Sequence, residues 1–148
     1  MPWGERHRRR DTVSLAQWHA SSLLLILTLV GDGLCVVLAA GGDLTRRYTM
    51  PHIFWWILWL SQIPLALQMV IGIGLFTGGA HPRTPYHFMY GLLILLTLLA
   101  LFGLRPGGWI RRRFVNEDSY RESRWLALLC LFLAGLVLRE YYTGMLGR

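Results

Sequence analysis

Residues 21–40 read SSLLLILTLVGDGLCVVLAA, twenty positions that carry one carboxyl, Asp32, and no basic side chain. About 18 or more apolar residues in a row are enough for a helix to cross the hydrocarbon of a bilayer. Three more runs of this kind follow, so the way this stretch is read decides the whole chain. With its flanks the first run covers about 15–40; the others cover about 51–77, 85–104 and 120–143. The helices of a soluble bundle need charged faces, and these runs have almost none. The chain has 148 residues, and four spans with their connections use up nearly all of them. The expectation is an all-α membrane protein, a single domain over 1–148, with four transmembrane helices in an up-down-up-down bundle. Its short connections make successive helices antiparallel.

Local signals place the ends of the runs. Ser14-Leu-Ala-Gln17 fits a capping box, and Gly41-Gly42 is a stop signal, so the first helix is expected to begin and end there. Pro51 opens the second helix, Pro64 is expected to kink it, and Gly78-Gly79 closes it. Thr84 is placed as the N-cap of the third helix and Pro85 as its first residue. Pro106-Gly107-Gly108 ends that helix. The stretch that follows mixes Trp109, Ile110 and Phe114 with Arg111, Arg112 and Arg113, which suits a segment lying on a membrane surface. Ser119-Tyr-Arg-Glu122 fits a second capping box, and Gly144 closes the fourth helix. Trp18 and the group Trp55, Trp56 and Trp59 suit the aromatic belts at water–lipid boundaries. The basic stretch 1–11 is not expected to belong to a cleaved signal peptide, because the apolar run behind it is too long.

All 15 basic residues are arginine, which points to a GC-rich bacterial genome and hence to an inner-membrane, multi-pass protein. The formal charge of +7 invites nucleic acid as a partner. The arginines lie at helix ends and in loops, however, where lipid headgroups are the simpler partner. Seven arginines fall on one side of the expected bundle and eight on the other, so the positive-inside rule selects no orientation. Cys35 and Cys130 both lie inside apolar runs without C-x-x-C spacing and read as buried thiols.

The chemistry concentrates near His81-Pro-Arg-Thr-Pro-Tyr-His87-Phe-Met-Tyr-Gly91. Antiparallel alternation puts the starts of the first and third helices on the same membrane side. His19 and His87 each lie about one turn inside those starts, on helices that are diagonal in the bundle. Ser22, Ile26, Val30 and Gly33 continue the face of His19 at helical spacing. Diagonal histidines at matched depth are suited to the two axial positions of a haem b standing between them. Gly91, Gly72, Gly74 and Gly135 would make room for the macrocycle. Arg139, deep in the fourth helix on the same side, is expected to face inward towards a haem propionate, with Arg83 available for the second. The alternatives are a pairing of Arg139 with Glu140, which is poor because adjacent helix residues point in different directions, and snorkelling to the headgroups. His81 could replace His87, or join His19 and His87 around zinc or copper, although no carboxylate or thiolate is seen to complete such a set. His52 lies towards the opposite side.

Four apolar helices carrying His19, His87, Gly91 and Arg139 in this arrangement resemble the membrane-bound b-type cytochromes, and also one half of the haem A synthases. The resemblance implies one bis-histidine haem, since the larger two-haem cytochromes carry a second histidine pair and this chain has only His52 there. It implies electron transfer between the quinone pool and a redox partner, or haem handling, because a bis-histidine iron has no free position for oxygen. A second reading rests on Asp32, the one carboxyl deep in the first run. The small multidrug-resistance exporters, which this chain also resembles, use such a group to exchange protons for cationic drugs. Otherwise Asp32 is a structural carboxyl held by Gln62, Ser61 or Thr97. A third reading is a non-catalytic subunit of a respiratory complex.

Overall fold

A computed structural model describes residues 17–82, 84–116 and 119–145, with no side chain described beyond Gly144. The described chain is carried by α1 (Ser22–Leu44), α2 (His52–Ser61), α3 (Ile63–Thr77), α4 (Tyr86–Leu104), α5 (Trp109–Phe114) and α6 (Glu122–Met145). Four rods are long and apolar enough to cross a membrane: Gln17–Leu44, His52–Thr77, Tyr86–Leu104 and Glu122–Gly144. No strand occurs among the described residues. The all-α, four-span architecture read from the sequence is the one observed. Large apolar side chains such as Val30, Val37 and Ile53 point outward from the rods, as hydrocarbon contact requires.

The bundle is organised on one seam. Along α1 one buried stripe runs through Leu25, Thr28, Asp32, Cys35 and Ala39, with Leu24 beside it; along α6 one runs through Leu126, Cys130, Leu133 and Val137, with Leu136 beside it and Glu122, Ser123 and Thr143 buried towards the ends. Both series step by three and four residues, the spacing that keeps one stripe of a helix facing a partner. Thr28, Cys35 and Ala39 are small, so the two backbones approach closely, which is what drives helix association where lipid is as apolar as the core. This antiparallel α1–α6 contact is the most extensive in the molecule. The α2–α3 rod packs against α1 and α4 packs against α6, so the order around the bundle is α2–α3, α1, α6, α4. The first and third spans are therefore diagonal. The second and third spans meet mainly through aromatic rings at their two ends, Trp59 with Phe102 and Phe76 with Phe88. Between those ring contacts they stand apart.

Several boundaries differ from the sequence reading, each for a physical reason. Gly41 and Gly42 do not stop α1, which continues to Leu44. Instead, a Cβ on Gly42 would come within 3.3 Å of the Met50 sulfur and 3.5 Å of Ser123 Cβ, so this glycine serves packing against α6. The helical turn at 17–19 is separated from α1 by a break at Ala20 and Ser21, whose backbone is extended (ψ 116°). The break takes His19 off the face carried by Ser22, Ile26, Val30 and Gly33, all of which are exposed. Of the first capping box, Ser14 to Ala16 lie outside the described residues. The second rod does interrupt, at Gln62, two residues before Pro64. A proline ring clashes with the carbonyl four residues back and lacks the N–H that would bond it.

Thr84 does not cap the third helix. α4 begins at Tyr86 with Pro85 as its N-cap, and the buried Thr84 hydroxyl has no hydrogen-bond partner. The segment after the third span folds as the short helix α5, whose Ile110 lies so close to Gly103 that a Cβ there would come within 2.5 Å of Ile110 Cγ1. Arg111 pairs with the buried Glu122 at 3.1 Å, and the other Glu122 oxygen accepts from the Met50 backbone N–H at 3.2 Å. Glu122 thus ties three segments together at the start of α6. Cys35 and Cys130 are free, buried thiols.

Candidate functional site

His19 and His87 meet. Their ring centroids are 5.8 Å apart and the rings are nearly perpendicular, at 86°. His19 is held by a reciprocal clamp to α3. Its Nδ1 lies 3.0 Å from the Gln68 carbonyl oxygen, and Gln68 Nε2 donates to the His19 carbonyl at 3.4 Å. A carbonyl only accepts, so Nδ1 carries the proton and Nε2 keeps its lone pair. Metal-binding histidines are oriented in this way by the hydrogen bond of their second nitrogen. The His19 ring lies against Gly72, where a Cβ would stand 2.9 Å from Cε1. Gly72 therefore makes room for the imidazole itself.

His87 is inside the first turn of α4, as its place after Pro85 implied. It faces α6, where Gly144 leaves space for it: a Cβ at 144 would be 3.1 Å from His87 Nδ1. That nitrogen is buried and has no hydrogen-bond partner. His87 Nε2 stands 3.4 Å from Glu140 Oε1. One ligand atom from each of His19, His87 and Glu140 lie within 4.8 Å of one another, and all three residues are half-buried.

A cavity of about 530 Å³ extends from the histidines along the gap between the second and third spans. Its walls are mostly apolar, with Gly91, Leu92 and Leu95 on α4 facing Gly72, Ile73 and Phe76 on α3. Ile73, Phe76, Leu92 and Leu95 are themselves exposed, so the cavity opens sideways towards acyl chains. No Cβ contact constrains Gly91, which leaves open space beside the histidine pair.

The remaining expected site residues fall elsewhere. Arg139 does not face inward. It is exposed, and its Nε lies 3.4 Å from the Tyr90 hydroxyl. Glu140, the next residue, takes the inward position. Arg83 lies outside the described residues. Gly74 and Gly135 are exposed and line no part of the cavity. His81 is exposed at the cavity rim, its ring 5.8 Å from that of Phe76, and is not part of the three-ligand group. His52 is exposed at the opposite end. Asp32 is fully buried and accepts a hydrogen bond from Gln62 Nε2 at 2.7 Å. It lines neither this cavity nor a second one of about 340 Å³ beside Gln62. Thr97 does not reach it, because its hydroxyl donates to the Leu93 carbonyl at 2.8 Å.

Glu140 is the functional candidate that sequence reasoning missed. The signal lies in the burial pattern of α6, where 126, 130, 133 and 137 continue by three and four to 140 and 144; the sequence does not show it, because 125–138 carries no polar side chain. A buried stripe of that spacing puts Glu140 and Gly144 inward and Arg139 outward. Compared with known proteins, the chain matches no family model, no curated protein and no solved structure.

Proposed function

We propose that this chain is a membrane-embedded haem protein of the bacterial inner membrane, with His19 and His87 as the two axial ligands of one haem b. The observation that carries the reading is the pairing of two converging imidazoles with a cavity far larger than an ion needs. Metal–imidazole bonds are about 2 Å long and the ring centre lies about 1.1 Å beyond the bound nitrogen, so two rings on opposite sides of one metal stand about 6.3 Å apart centre to centre. The observed 5.8 Å is about 0.5 Å short of that, so the two rings would part slightly to admit a metal between them. A water-sized occupant takes about 30 Å³ of liquid volume, whereas the cavity offers about 530 Å³. That volume lies in the range of organic cofactor sites.

This chain's residues would hold the group as follows. Gln68 fixes the His19 ring, Gly144 admits the His87 ring, and Gly91 leaves the space between α3 and α4 open for a flat macrocycle. Were His87 to hold the group through Nε2, Glu140 would have to turn away from that nitrogen, now 3.4 Å from its Oε1. A haem held by two histidines supplies one-electron transfer and has no open iron position for oxygen. Lateral opening of the cavity towards lipid favours an exchange partner in the membrane, such as a quinone, together with a redox protein. The exporter reading has less support, since Asp32 has no access to either cavity.

The test is the absorbance of the full chain purified in detergent from cells supplied with haem. Red protein with a sharp Soret band is expected, and the band should be absent from His19→Ala/His87→Ala protein of unchanged helical circular dichroism. Colourless wild-type protein that cannot be loaded with haem, or a band that survives in the double variant, overturns the reading.

A further inference from the structure

We infer that His19, His87 and Glu140 form a second, distinct binding state: a three-ligand site for a divalent first-row transition ion, occupied when no macrocycle is present. The inference does not depend on the haem reading.

Among the described residues this is where three metal-ligating side chains converge. Two neutral imidazoles and one carboxylate suit borderline ions such as Zn²⁺, Co²⁺ or Fe²⁺. With bonds of about 2.0–2.1 Å, neighbouring ligand atoms of a tetrahedral ion stand about 3.3 Å apart. The His87–Glu140 edge is already at 3.4 Å. The other edges, within 4.8 Å, close by a movement of about 1.5 Å or less. Each ligand comes from a different rod, and two of the three have a reason to stay in place. His19 is oriented by the Gln68 carbonyl, as bound histidines are. His87 sits in the notch left by Gly144.

The carboxylate is what separates the two occupants. A haem iron with two axial imidazoles has no use for Glu140, and the carboxylate turns aside where His87 bonds through Nε2. A small ion draws Glu140 in and leaves its fourth position facing the cavity, free for water or an incoming ligand. Three ligands and one open position is the arrangement of reactive rather than structural metal sites. The carboxylate offsets one of the ion's two charges and leaves a net charge of +1 at a half-buried site, which is less costly than an unpaired divalent cation.

The experiment uses the full chain in detergent, stripped of haem and of metals, titrated with Co²⁺ and followed by its visible d–d absorption. One Co²⁺ per chain with the intense bands of a four-coordinate ion is expected. Glu140→Gln should weaken Co²⁺ binding about 100-fold or more, above the effect of losing an outer-shell partner. The same variant should still take up haem wherever the wild type does. His81→Ala should bind Co²⁺ as the wild type does. Should the wild type bind no Co²⁺, or should Glu140→Gln bind it unchanged, the ion site is overturned. Cobalt binding that is lost in His81→Ala overturns it as well, by placing the ion at the cavity rim. Haem binding in the absence of Co²⁺ binding, or the reverse, tells which of the two states is real.

Discussion

The α1–α6 seam and the α3–α4 gap lie in the same bundle, in the same solvent, and are built in opposite ways. The seam has a buried residue every three or four positions, small or apolar except at Asp32. Cys35, Ala39, Leu126, Cys130 and Leu133 are all fully buried there. The gap is closed by a ring contact at either end, with apolar side chains of both walls turned towards lipid between them. In a membrane the hydrophobic effect does not press helices together, so contact has to be made by close fit. Where the fit is missing, as between α3 and α4, separation costs little and space for a ligand remains. The seam holds the bundle, and the gap is free to hold something else. The histidines stand at the end of that gap, one presented from each side of the seam.

Gly91→Trp breaks this comparison most severely. A Cβ there meets nothing within 4 Å and Gly91 lines the cavity beside His87, so the added ring goes into the gap. Haem uptake should be abolished, while Co²⁺ binding and helix content remain as in the wild type. Haem retained at wild-type level would mean that the gap is not where a macrocycle sits. Leu133→Ala is the matching change on the other side. Leu133 is fully buried on α6, and removing such a side chain costs about 2–5 kcal/mol in well-packed interiors. The loss should appear as a lower unfolding midpoint in detergent, with haem and Co²⁺ affinities unchanged in the protein that remains folded. Equal stability of Leu133→Ala and wild type would mean that the seam is not what holds the rods.

The two regions were not equally legible in the sequence. Four spans, their antiparallel order and the matched depth of His19 and His87 follow from run lengths and connection lengths alone. The identity of the inward face did not. On α6 the choice between Arg139 and Glu140 turns on a helical phase of one residue, about 100°. The assumption that an arginine deep in a span must seek an anion inside led to the wrong one. The buried stripe from 126 to 144 resolves the phase, but the run 125–138 is apolar throughout and does not mark that stripe in the sequence. On α1 the phase was lost for another reason. The break at Ala20 and Ser21 resets the register between His19 and the span; its mark in the sequence is Ser21, the N-cap of α1, which competes with Ser14 as a helix start. Gly42 and Gly72 were read as a stop and as room for a cofactor. Each proves to serve a neighbouring side chain, a contact that depends on tertiary packing and leaves no local mark.

A smaller effect is expected where the seam itself becomes polar. Gln62, at the interruption between α2 and α3, donates to Asp32 at 2.7 Å and to the Ser61 hydroxyl at 2.9 Å. Gln62→Ala leaves the buried carboxyl without its donor, at a cost of about 1–3 kcal/mol. In the background of Asp32→Ala, whose carboxyl is gone, the same change should cost distinctly less. The double-mutant cycle in chemical unfolding measures the difference. Additive losses would mean that the hydrogen bond contributes nothing and that Asp32 is held by something else. Neither variant should move haem or Co²⁺ binding, since Asp32 lines no part of the cavity.

The smallest effect belongs to Arg139, and it tests the phase of α6 directly. An arginine one turn from the end of a span has two ways to satisfy its charge: an anion within the bundle, or the headgroups reached along its own aliphatic stem. Its exposure and its 3.4 Å approach to Tyr90 correspond to the second. At that distance the hydrogen bond is near the limit of what counts as one. Arg139→Gln should therefore change stability by no more than about 0.5 kcal/mol, as surface substitutions do, and shift haem affinity less than about 3-fold by the same principle. Glu140→Gln, one residue along, should lose Co²⁺ almost entirely. The contrast between adjacent positions follows from the buried stripe of α6. Tenfold weaker haem binding in Arg139→Gln would mean that the helix turns its arginine inward when loaded, and that the inward face of α6 is not fixed by the seam.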